Sequence, residues 1–225
     1  MLKYPCLVLD HDDTVVQSEA TVNHPFFLDF LAQHRPGMTI SLHDYISECF
    51  EIGYGDMCRR RFHFTEEDLH LEYVGWKEHI QSHIPAPYPG IDRIIRRQVE
   101  EGGIVCVVSM SADSNIRRDY KTHFGLEPDR IFGWDMEPAN RKPSPWALFE
   151  IMRQYNLKPD DLLVIDDTKA AVPMAHEAGV KIGFAGWGRT DFPKITAEME
   201  KLCDYSFAST KALETFLFER IEYEN

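Results

Sequence analysis

Two pairs of aspartates are the residues of this chain that most directly suggest chemistry. Asp10 and Asp12 follow one short apolar run, and Asp166 and Asp167 follow another. A single Asp-x-Asp in an acidic chain is usually a solvated turn or a helix cap. A second pair after a second apolar run favours another interpretation, because several carboxylates brought close together need a cation between them.

The ligand types indicate which cation this would be. Carboxylate oxygens without a neighbouring Cys or His cluster suit Mg²⁺, a hard ion that is commonly bound through a few carboxylates and the phosphate oxygens of a substrate. Phosphate chemistry also needs donors for the phosphoryl oxygens. Ser109, at the end of an apolar run, and Lys142, in the segment 141–145, are the candidates. Taken alone, Ser109 would be a helix N-cap and Lys142 a solvated surface lysine.

The apolar runs before these residues predict the elements that position them. Each run is short, continuous and stopped by polar residues, as in a strand buried on both faces, and stretches with helical spacing lie between the runs. This alternation is typical of an α/β doubly wound (Rossmann-like) parallel sheet, whose ligands bind beyond the carboxyl ends of the strands. The predicted strands cover 4–9, 104–108, 162–165 and 181–184, and the predicted helices lie within 91–99, 116–124, 145–155 and 172–178.

One long stretch breaks the alternation and has helical spacing without a comparable buried strand. Ser41 to Asp44 and Thr65 to Asp68 resemble capping boxes, which predict two helix starts. The proline-rich segment 85–90 predicts the return to the sheet. We therefore predict a core domain of residues 1–15 and 89–225 with an inserted all-helical domain of residues 16–88.

The composition narrows the partners. The 225 residues carry 37 acidic and 24 basic side chains, a net charge of −13. Nucleic acids and anionic membranes are bound through Lys- and Arg-rich surfaces, so we expect neither as a partner. The five cysteines form no Cys-x-x-Cys pair, and no apolar stretch approaches the length of a membrane span. We expect a cytoplasmic protein with reduced cysteines.

Taken in chain order, these clusters resemble the motifs of the haloacid-dehalogenase-like hydrolase superfamily. The segment 7–15 is similar to the first motif, a strand followed by Asp-x-Asp-Gly-Thr, and Ser109 is similar to the phosphate-binding Ser or Thr of the second. The segment 142–145 is similar to the third motif. Residues 164–168, followed by 175–180, resemble the acidic fourth motif and the helix behind it. The resemblance extends over nearly the whole chain.

The resemblance implies a Mg²⁺-dependent phosphohydrolase that acts on a small phosphorylated metabolite. It implies that Asp10 attacks phosphorus to form an aspartyl-phosphate, while Asp12 protonates the leaving oxygen and then deprotonates the hydrolytic water. The metal would be held by Asp10, the backbone carbonyl of Asp12 and Asp167, with Asp166 bonding directly or through water. Ser109 and Lys142 would bind the phosphate.

The family also has a helical cap between its first two motifs, and such caps shield the site and choose substrates. The inserted helical stretch falls at that position. Its dense basic run, Arg59, Arg60 and Arg61, is a candidate contact for a second anionic group of the substrate. A solvated helix end is the other interpretation of this run.

Three residues depart from the family pattern. Asp13 stands where Gly is usual, Met110 where Asn is frequent, and Ala171 where many relatives have another acidic residue. At Asp13 we expect the conformational freedom of glycine to be lost.

Several other functions remain open at this point. A phosphomutase uses the same scaffold and returns the phosphate to a sugar, and a catalytically silent phospho-ligand-binding protein is suggested by Asp13 and Met110. A dehalogenase needs neither a leaving-group acid nor a metal, and signalling receivers are shorter, uncapped and order their motifs differently. The sequence indicates neither the substrate nor the oligomeric state.

Overall fold

A parallel sheet forms the centre of the computed structural model, which describes residues 2–219. Its six strands run parallel in the order β3-β2-β1-β4-β5-β6. The predicted α/β fold with a parallel sheet is thereby confirmed. The strands are β1 (Cys6–Leu9), β2 (Ile104–Val108), β3 (Arg130–Phe132), β4 (Leu162–Asp166), β5 (Lys181–Ala185) and β6 (Tyr205–Phe207).

The strand order determines where a ligand can bind. The chain runs outward from β1 to β2 and β3, and then crosses back to add β4, β5 and β6 on the other side. The direction of winding therefore reverses beside β1. In open α/β sheets a crevice forms at this switch point, beyond the carboxyl ends of the strands. Asp10 follows β1 at this point, and its backbone N–H donates to the carbonyl of Ile165 in β4 at 2.9 Å.

Helices connect the strands and bury their apolar faces against the sheet. All four residues of β1 are buried, as expected for a central parallel strand covered on both faces. One large core cluster includes residues of the central strands together with Ile91, Ile94 and Tyr120 from neighbouring helices. The helices of this part of the chain are α5 (Ile91–Glu100), α6 (Asp113–Phe124), α7 (Trp146–Tyr155), α8 (Ala171–Glu177), α9 (Pro193–Leu202) and α10 (Thr210–Phe218).

The chain divides into two compact units. One consists of Met1–Val16 and Pro87–Asn225 and contains the sheet, and the other is Gln17–Ala86. The second unit begins one residue later and ends two residues earlier than the predicted insertion, 16–88. Residues 1 and 220–225 of the predicted core domain lie outside the described residues.

The second unit, called the helical unit below, contains no strand within 17–86. Both predicted helix starts are present. The Ser41 hydroxyl accepts from the Asp44 N–H at 3.0 Å, and Thr65 and Asp68 form a complete capping box. The unit comprises a π-helical turn (Glu19–Asn23) followed by α1 (His24–His34), α2 (Leu42–Ile52), α3 (Tyr54–Phe62) and α4 (Glu66–His79).

Aromatic side chains form the interior of the helical unit. Phe27 of α1 is fully buried, and its ring centroid lies 5.3 Å from that of Phe62 and 5.5 Å from that of Tyr45. Inclined rings at these distances stabilise the fold by more free energy than the burial of their apolar area alone supplies. The phenylalanines of this unit therefore pack its core.

Helix α4 buries a carboxylic acid in that interior. Tyr73 and Trp76 of α4 are only half-buried, while Glu72 is 7% exposed. Burial raises the pKa of the Glu72 carboxyl to about 7, an effect that the nearby Tyr54 hydroxyl partly opposes. The protonated acid is thus the form that suits the folded helical unit.

None of the helices within residues 2–219 is both long and apolar enough to cross a lipid bilayer.

The buried acid predicts a pH-dependent stability. The folded pKa of Glu72 is about 7, above the unfolded value of about 4.5, so its contribution is fully present below pH 4.5 and is lost as the pH rises through 7. Relative to Glu72→Gln, the wild-type free energy of unfolding should fall by up to about 3 kcal/mol over this window. Urea unfolding at a series of pH values measures the difference.

Glu78→Gln, an exposed substitution on the same helix, is the matched control and should follow the wild-type pH dependence. Parallel curves for wild type and Glu72→Gln between pH 5 and pH 8 would contradict the burial of an ionisable acid in this unit.

Candidate active site

The candidate site is assembled at the carboxyl ends of β1 and β4. Asp10 follows β1, Asp166 is the last residue of β4, and Asp167 follows it. All three side chains are buried. One carboxylate oxygen from each lies within 4.8 Å of the others. Asp10 of the first pair and both aspartates of the second, which are far apart in sequence, therefore contribute to one small volume.

Lys142 links the two strands through its ammonium group. Its Nζ donates to Asp10 Oδ1 at 2.6 Å and to Asp166 Oδ2 at 2.5 Å. The lysine is buried, so these charges attract one another with little screening by water. Although burial alone would lower it, the two carboxylates raise the pKa of Lys142 above its usual value. This residue is therefore a fixed positive charge.

The two aspartates at the end of β4 have different partners. The Oδ1 of Asp166 accepts from the backbone N–H of Thr168 at 2.8 Å and from its hydroxyl at 2.7 Å. The Oδ1 of Asp167 accepts from the hydroxyl of Thr14 at 3.1 Å. Both carboxylates are thus held in defined orientations by short polar side chains.

A second buried cation, Arg189, lies on the other side of Asp167. Its guanidinium donates to Asp167 Oδ2 through Nη2 and to Asp13 Oδ2 through Nη1. Asp13 has a φ of 53°, so the aspartate keeps the left-handed conformation for which glycine is usual. Aspartate is among the side chains that adopt this conformation most readily. The turn therefore forms with aspartate at position 13, although aspartate lacks the conformational freedom of glycine.

The formal charges of the buried groups in this cluster, counted over the part of the chain that the structure describes, do not balance. The cluster contains two buried cations, Lys142 and Arg189, and four buried carboxylates, so its formal charge is −2 when all are ionised. Burial raises the pKa of Asp10 well above its usual value, with Lys142 opposing and the two neighbouring aspartates adding to the rise. Burial also raises the pKa of Asp167 to about 6, with Arg189 opposing. One divalent cation would neutralise the cluster.

The donor set fits such an ion. The atoms within 4.8 Å of one another are carboxylate oxygens of Asp10, Asp166 and Asp167. Hard divalent cations such as Mg²⁺ prefer ligands of this kind. These residues could therefore hold a metal of the predicted type.

Asp12 differs from the other aspartates of the site. Its side chain is half-buried, and within residues 2–219 it makes no hydrogen bond or ion pair. The loop that carries it is fixed by its backbone, since the N–H groups of Val15 and Val16 both donate to the carbonyl of His11, at 2.9 Å and 3.1 Å. A carboxyl without a partner on a fixed loop is available to exchange protons.

Ser109 lies at the carboxyl end of β2, the strand next to β1. It is buried, and its hydroxyl accepts from the N–H of Ser111 at 3.2 Å. Accepting this bond leaves the hydroxyl proton free for another acceptor. Of the two other departures from the family pattern, Met110 is exposed and Ala171 is fully buried at the start of α8.

The three arginines singled out in the sequence are exposed on α3 of the helical unit and pair with its own carboxylates. Arg59 contacts Glu66 at 2.8 Å, and Arg60 contacts Asp56 at 2.7 Å. Arg61 pairs with Glu48. Exposed pairs of this kind contribute little to stability, so their side chains can change partners at little cost.

Sequence reasoning missed two contributors to the site. Arg189 is one, and the other is a buried pair between His11 Nε2 and Asp119 Oδ2 at 3.0 Å, which ties the loop after β1 to α6. The position of Arg189 after the carboxyl end of β5 was a usable signal, because polar residues at that edge share the crevice. The extra charge of Asp13 was another, since a buried carboxylate calls for a cation.

Comparisons with known proteins show what the chain is similar to. The sequence profile of the family described as haloacid dehalogenase-like hydrolase matches residues 7–185. Among curated proteins, the bifunctional riboflavin kinase/FMN phosphatase of Arabidopsis thaliana is 33% identical over 96 residues. That alignment covers 42% of this chain and 25% of the relative, so only about a quarter of the relative's length is matched.

Solved structures share the fold over nearly the whole chain. CbbY from Rhodobacter sphaeroides in complex with phosphate is 18% identical with a TM-score of 0.70, and the match covers 93% of this chain and 95% of that one. A HAD family hydrolase from Deinococcus radiodurans R1 with bound phosphate and sodium is 16% identical with a TM-score of 0.72, and the match covers 95% of each chain.

Because Lys142 pairs with both Asp10 and Asp166, we predict that removing its charge has a large effect on stability. Lys142→Met should lower the free energy of unfolding in metal-free buffer by about 3 to 5 kcal/mol, because two buried carboxylates lose the cation between them. Urea unfolding in the presence of a chelator measures this change. Lys181→Met removes a half-exposed lysine that pairs with Asp204 at 2.6 Å and is the control. We expect only a small change there, and equal losses in the two variants would contradict the buried ion pairs.

Proposed function

The chain belongs to the haloacid dehalogenase-like hydrolase family, and from that premise we propose that it is a Mg²⁺-dependent phosphohydrolase of small phosphorylated metabolites. The observation that carries the proposal is the buried pairing of Lys142 with Asp10 and Asp166, beside Asp167, at the switch point of the sheet. This arrangement combines a carboxylate nucleophile, a fixed cation and a cluster of oxygen ligands.

Asp10 is proposed as the nucleophile. Its Oδ1 accepts from Lys142, which leaves the second carboxylate oxygen to attack the phosphorus of a phosphate monoester. The new bond is an Oδ–P bond, and the bond from phosphorus to the ester oxygen breaks. The resulting aspartyl-phosphate divides one difficult hydrolysis into two easier steps.

Asp12 is proposed as the general acid and base. In the first step its carboxyl gives a proton to the departing ester oxygen. In the second step its carboxylate takes a proton from the water that attacks the aspartyl-phosphate, and inorganic phosphate and free Asp10 are released. The half-buried Asp12 carboxyl has no ion-pair partner among residues 2–219, which suits both directions of transfer.

Ser109 and Lys142 are proposed to bind the phosphoryl oxygens. The serine hydroxyl supplies a neutral donor at the end of β2, and the lysine supplies a positive charge beside Asp10. Donors fixed before the substrate arrives need no rearrangement as negative charge develops during transfer.

Mg²⁺ is proposed as the cofactor, held by Asp10, the backbone carbonyl of Asp12 and Asp167, with Asp166 bonding directly or through water. When bound, the ion reduces the repulsion between the carboxylate nucleophile and the phosphate dianion. The net charge of −2 on the buried cluster supports one divalent ion at this position.

The helical unit is proposed as a cap and the sheet-containing unit as the catalytic core. The division of the chain into Gln17–Ala86 and the remainder supports this assignment of 16–88 and of 1–15 with 89–225. A cytoplasmic location belongs to the same proposal and is supported by the five free cysteines.

The substrate is proposed to be a small phosphate monoester. The curated relative is named as an FMN phosphatase, and CbbY has been solved with xylulose-1,5-bisphosphate as well as with phosphate. FMN and xylulose-1,5-bisphosphate are small, anionic and carry a phosphate ester. Nucleic acids and membranes are not proposed as partners because the chain carries a net charge of −13.

The proposal predicts Mg²⁺-dependent release of phosphate that requires Asp10. A panel containing FMN, a ketose bisphosphate and p-nitrophenyl phosphate should identify at least one substrate from which the wild type releases phosphate. Asp10→Asn should lose that activity by roughly 10³-fold or more, because an amide cannot form the covalent intermediate. Colorimetric phosphate assays measure release, and circular dichroism checks that the variant is folded.

Asp191→Asn, an exposed substitution in the same unit, is the control and should retain wild-type activity. Near wild-type release by Asp10→Asn would rule out covalent catalysis through this residue. Turnover that requires an added bisphosphate would instead identify a phosphomutase, and inactivity on every compound would favour the silent binding protein.

The arginine run predicts a change in substrate choice. Replacing Arg59, Arg60 and Arg61 with alanine should lower kcat/KM for a substrate with a second anionic group much more than for p-nitrophenyl phosphate, because the reacting residues lie in the other unit. Steady-state kinetics on both substrates measure the difference.

The matched control removes three exposed arginines from α5 of the other unit, Arg93, Arg96 and Arg97. It changes the net charge by the same amount, so any loss shared by the two triple variants comes from the overall charge. Equal losses on both substrates would mean that the run of 59–61 does not select substrates.

A further inference from the structure

The pairing of Asp13 with Arg189 is part of the site but has no place in the mechanism above. Asp13 and Arg189 are both buried, and each interacts with the other. The same guanidinium also pairs with Asp167, the proposed metal ligand. The Arg189 guanidinium therefore connects Asp13, which has no role in the proposed reaction, to Asp167, which would bind Mg²⁺.

The turn that carries Arg189 is fitted closely to the loop after β1. The indole N–H of Trp187 donates to the carbonyl of Thr14 at 3.1 Å. A side chain at Gly188 would come within 2.8 Å of the Asp13 carbonyl, so only glycine allows this approach. Trp187 and Gly188 thus hold the turn with Arg189 beside Asp13 by two contacts that are independent of the ion pair.

The two charges cancel when they are taken as a pair. A neutral residue at position 13 would make the charge of the cluster one unit less negative, and a neutral residue at 189 would make it one unit more negative. Either change alters the charge that a divalent ion meets, in opposite directions. In a buried site such a charge acts at close range with little screening.

We propose that Asp13 and Arg189 form a charge-balanced pair that sets the Mg²⁺ affinity of Asp167. Arg189 is a positioning residue, which holds the Oδ2 of Asp167 while Thr14 holds the Oδ1. Asp13 offsets the positive charge of that arginine, so the site gains an orienting donor without losing attraction for the ion. This inference rests on the proposed function, in which Asp167 is a metal ligand.

A double-mutant cycle tests the pair with Mg²⁺ itself as the probe. Mg²⁺ affinity is measured by calorimetric titration, and the melting temperature is measured with a chelator and at saturating Mg²⁺, without any assay of activity. The variants are Asp13→Asn, Arg189→Met and the combination of both. Asparagine is chosen because it also adopts positive φ readily.

Opposite shifts are expected from the single substitutions. Arg189→Met should bind Mg²⁺ about tenfold more tightly and melt at a lower temperature in chelator, since two buried carboxylates lose their cation. Asp13→Asn should bind Mg²⁺ about tenfold more weakly. The double variant should return to within about threefold of the wild-type Kd and melt above Arg189→Met in chelator.

Two controls separate charge from geometry and from general effects. Arg189→Lys keeps the positive charge but loses the planar fork of donors. If charge sets the affinity, its Kd should stay within about threefold of wild type. Replacing the surface pair Lys181 and Asp204 by methionine and asparagine should leave Mg²⁺ affinity unchanged. If Arg189→Met does not fold in chelator, Asp13→Asn and the double variant still decide the question.

The outcomes distinguish this inference from the proposed function. Opposite shifts that cancel in the double variant support the pair. Weaker binding in both single variants and in the double variant would overturn it, while the metal site would stand. Absence of Mg²⁺ binding by the wild type, or binding unchanged by Asp167→Asn, would overturn the proposed metal site and this inference with it.

Discussion

Four carboxylates that are removed from water at one edge of a sheet repel one another, and each tends to take up a proton unless a positive charge lies beside it. In this protein two buried cations meet that need in part, Lys142 between Asp10 and Asp166 and Arg189 between Asp13 and Asp167. Burial, with the neighbouring aspartates adding to its effect and the two cations opposing it, keeps the pKa of Asp10 and of Asp167 above their usual values. The site is thus organised around a deficit of positive charge that a divalent ion can fill.

The sheet fixes the relative positions of these charged side chains. Residues 10, 166 and 189 follow or end three strands that lie side by side, β1, β4 and β5, and Lys142 comes from a loop between β3 and β4. Parallel strands buried on both faces resist sliding, because a shift of one residue would move every side chain to the opposite face. The strands therefore determine the separation of the charges, and the loops supply their partners.

Much of this arrangement could be predicted from the sequence, and the exceptions have physical reasons. Strands of four or five apolar residues were recognisable, whereas β3 (Arg130–Phe132) and β6 (Tyr205–Phe207) contain three residues each and form no apolar run. Asp10 and Lys142 were predicted as site residues because their chemistry is local to a motif. The role of Arg189 depends on the close approach of Gly188 to the loop after β1, which no pattern of spacing encodes.

The helical unit also contains a feature that sequence patterns do not predict. Tyr73 and Trp76 of α4 are only half-buried, and the most buried side chain of that helix is Glu72. A charged residue in a sequence is normally assigned to the surface, because ionised groups are rarely buried. Only the folded unit, in which Glu72 is buried near the Tyr54 hydroxyl, shows that this carboxyl is enclosed. The role of the unit as a cap stays a prediction.

The two ends of the helical unit leave the sheet side by side. The N–H of Gln17 donates to the carbonyl of Ala86 at 2.9 Å, and the N–H of Tyr88 donates to the carbonyl of Val15 at 2.9 Å. Residues 15–17 and 86–88 are thus hydrogen-bonded to each other, so the two ends of the insertion lie close together. We therefore expect changes in the length of the intervening helices to be accommodated with little displacement of β1 or α5.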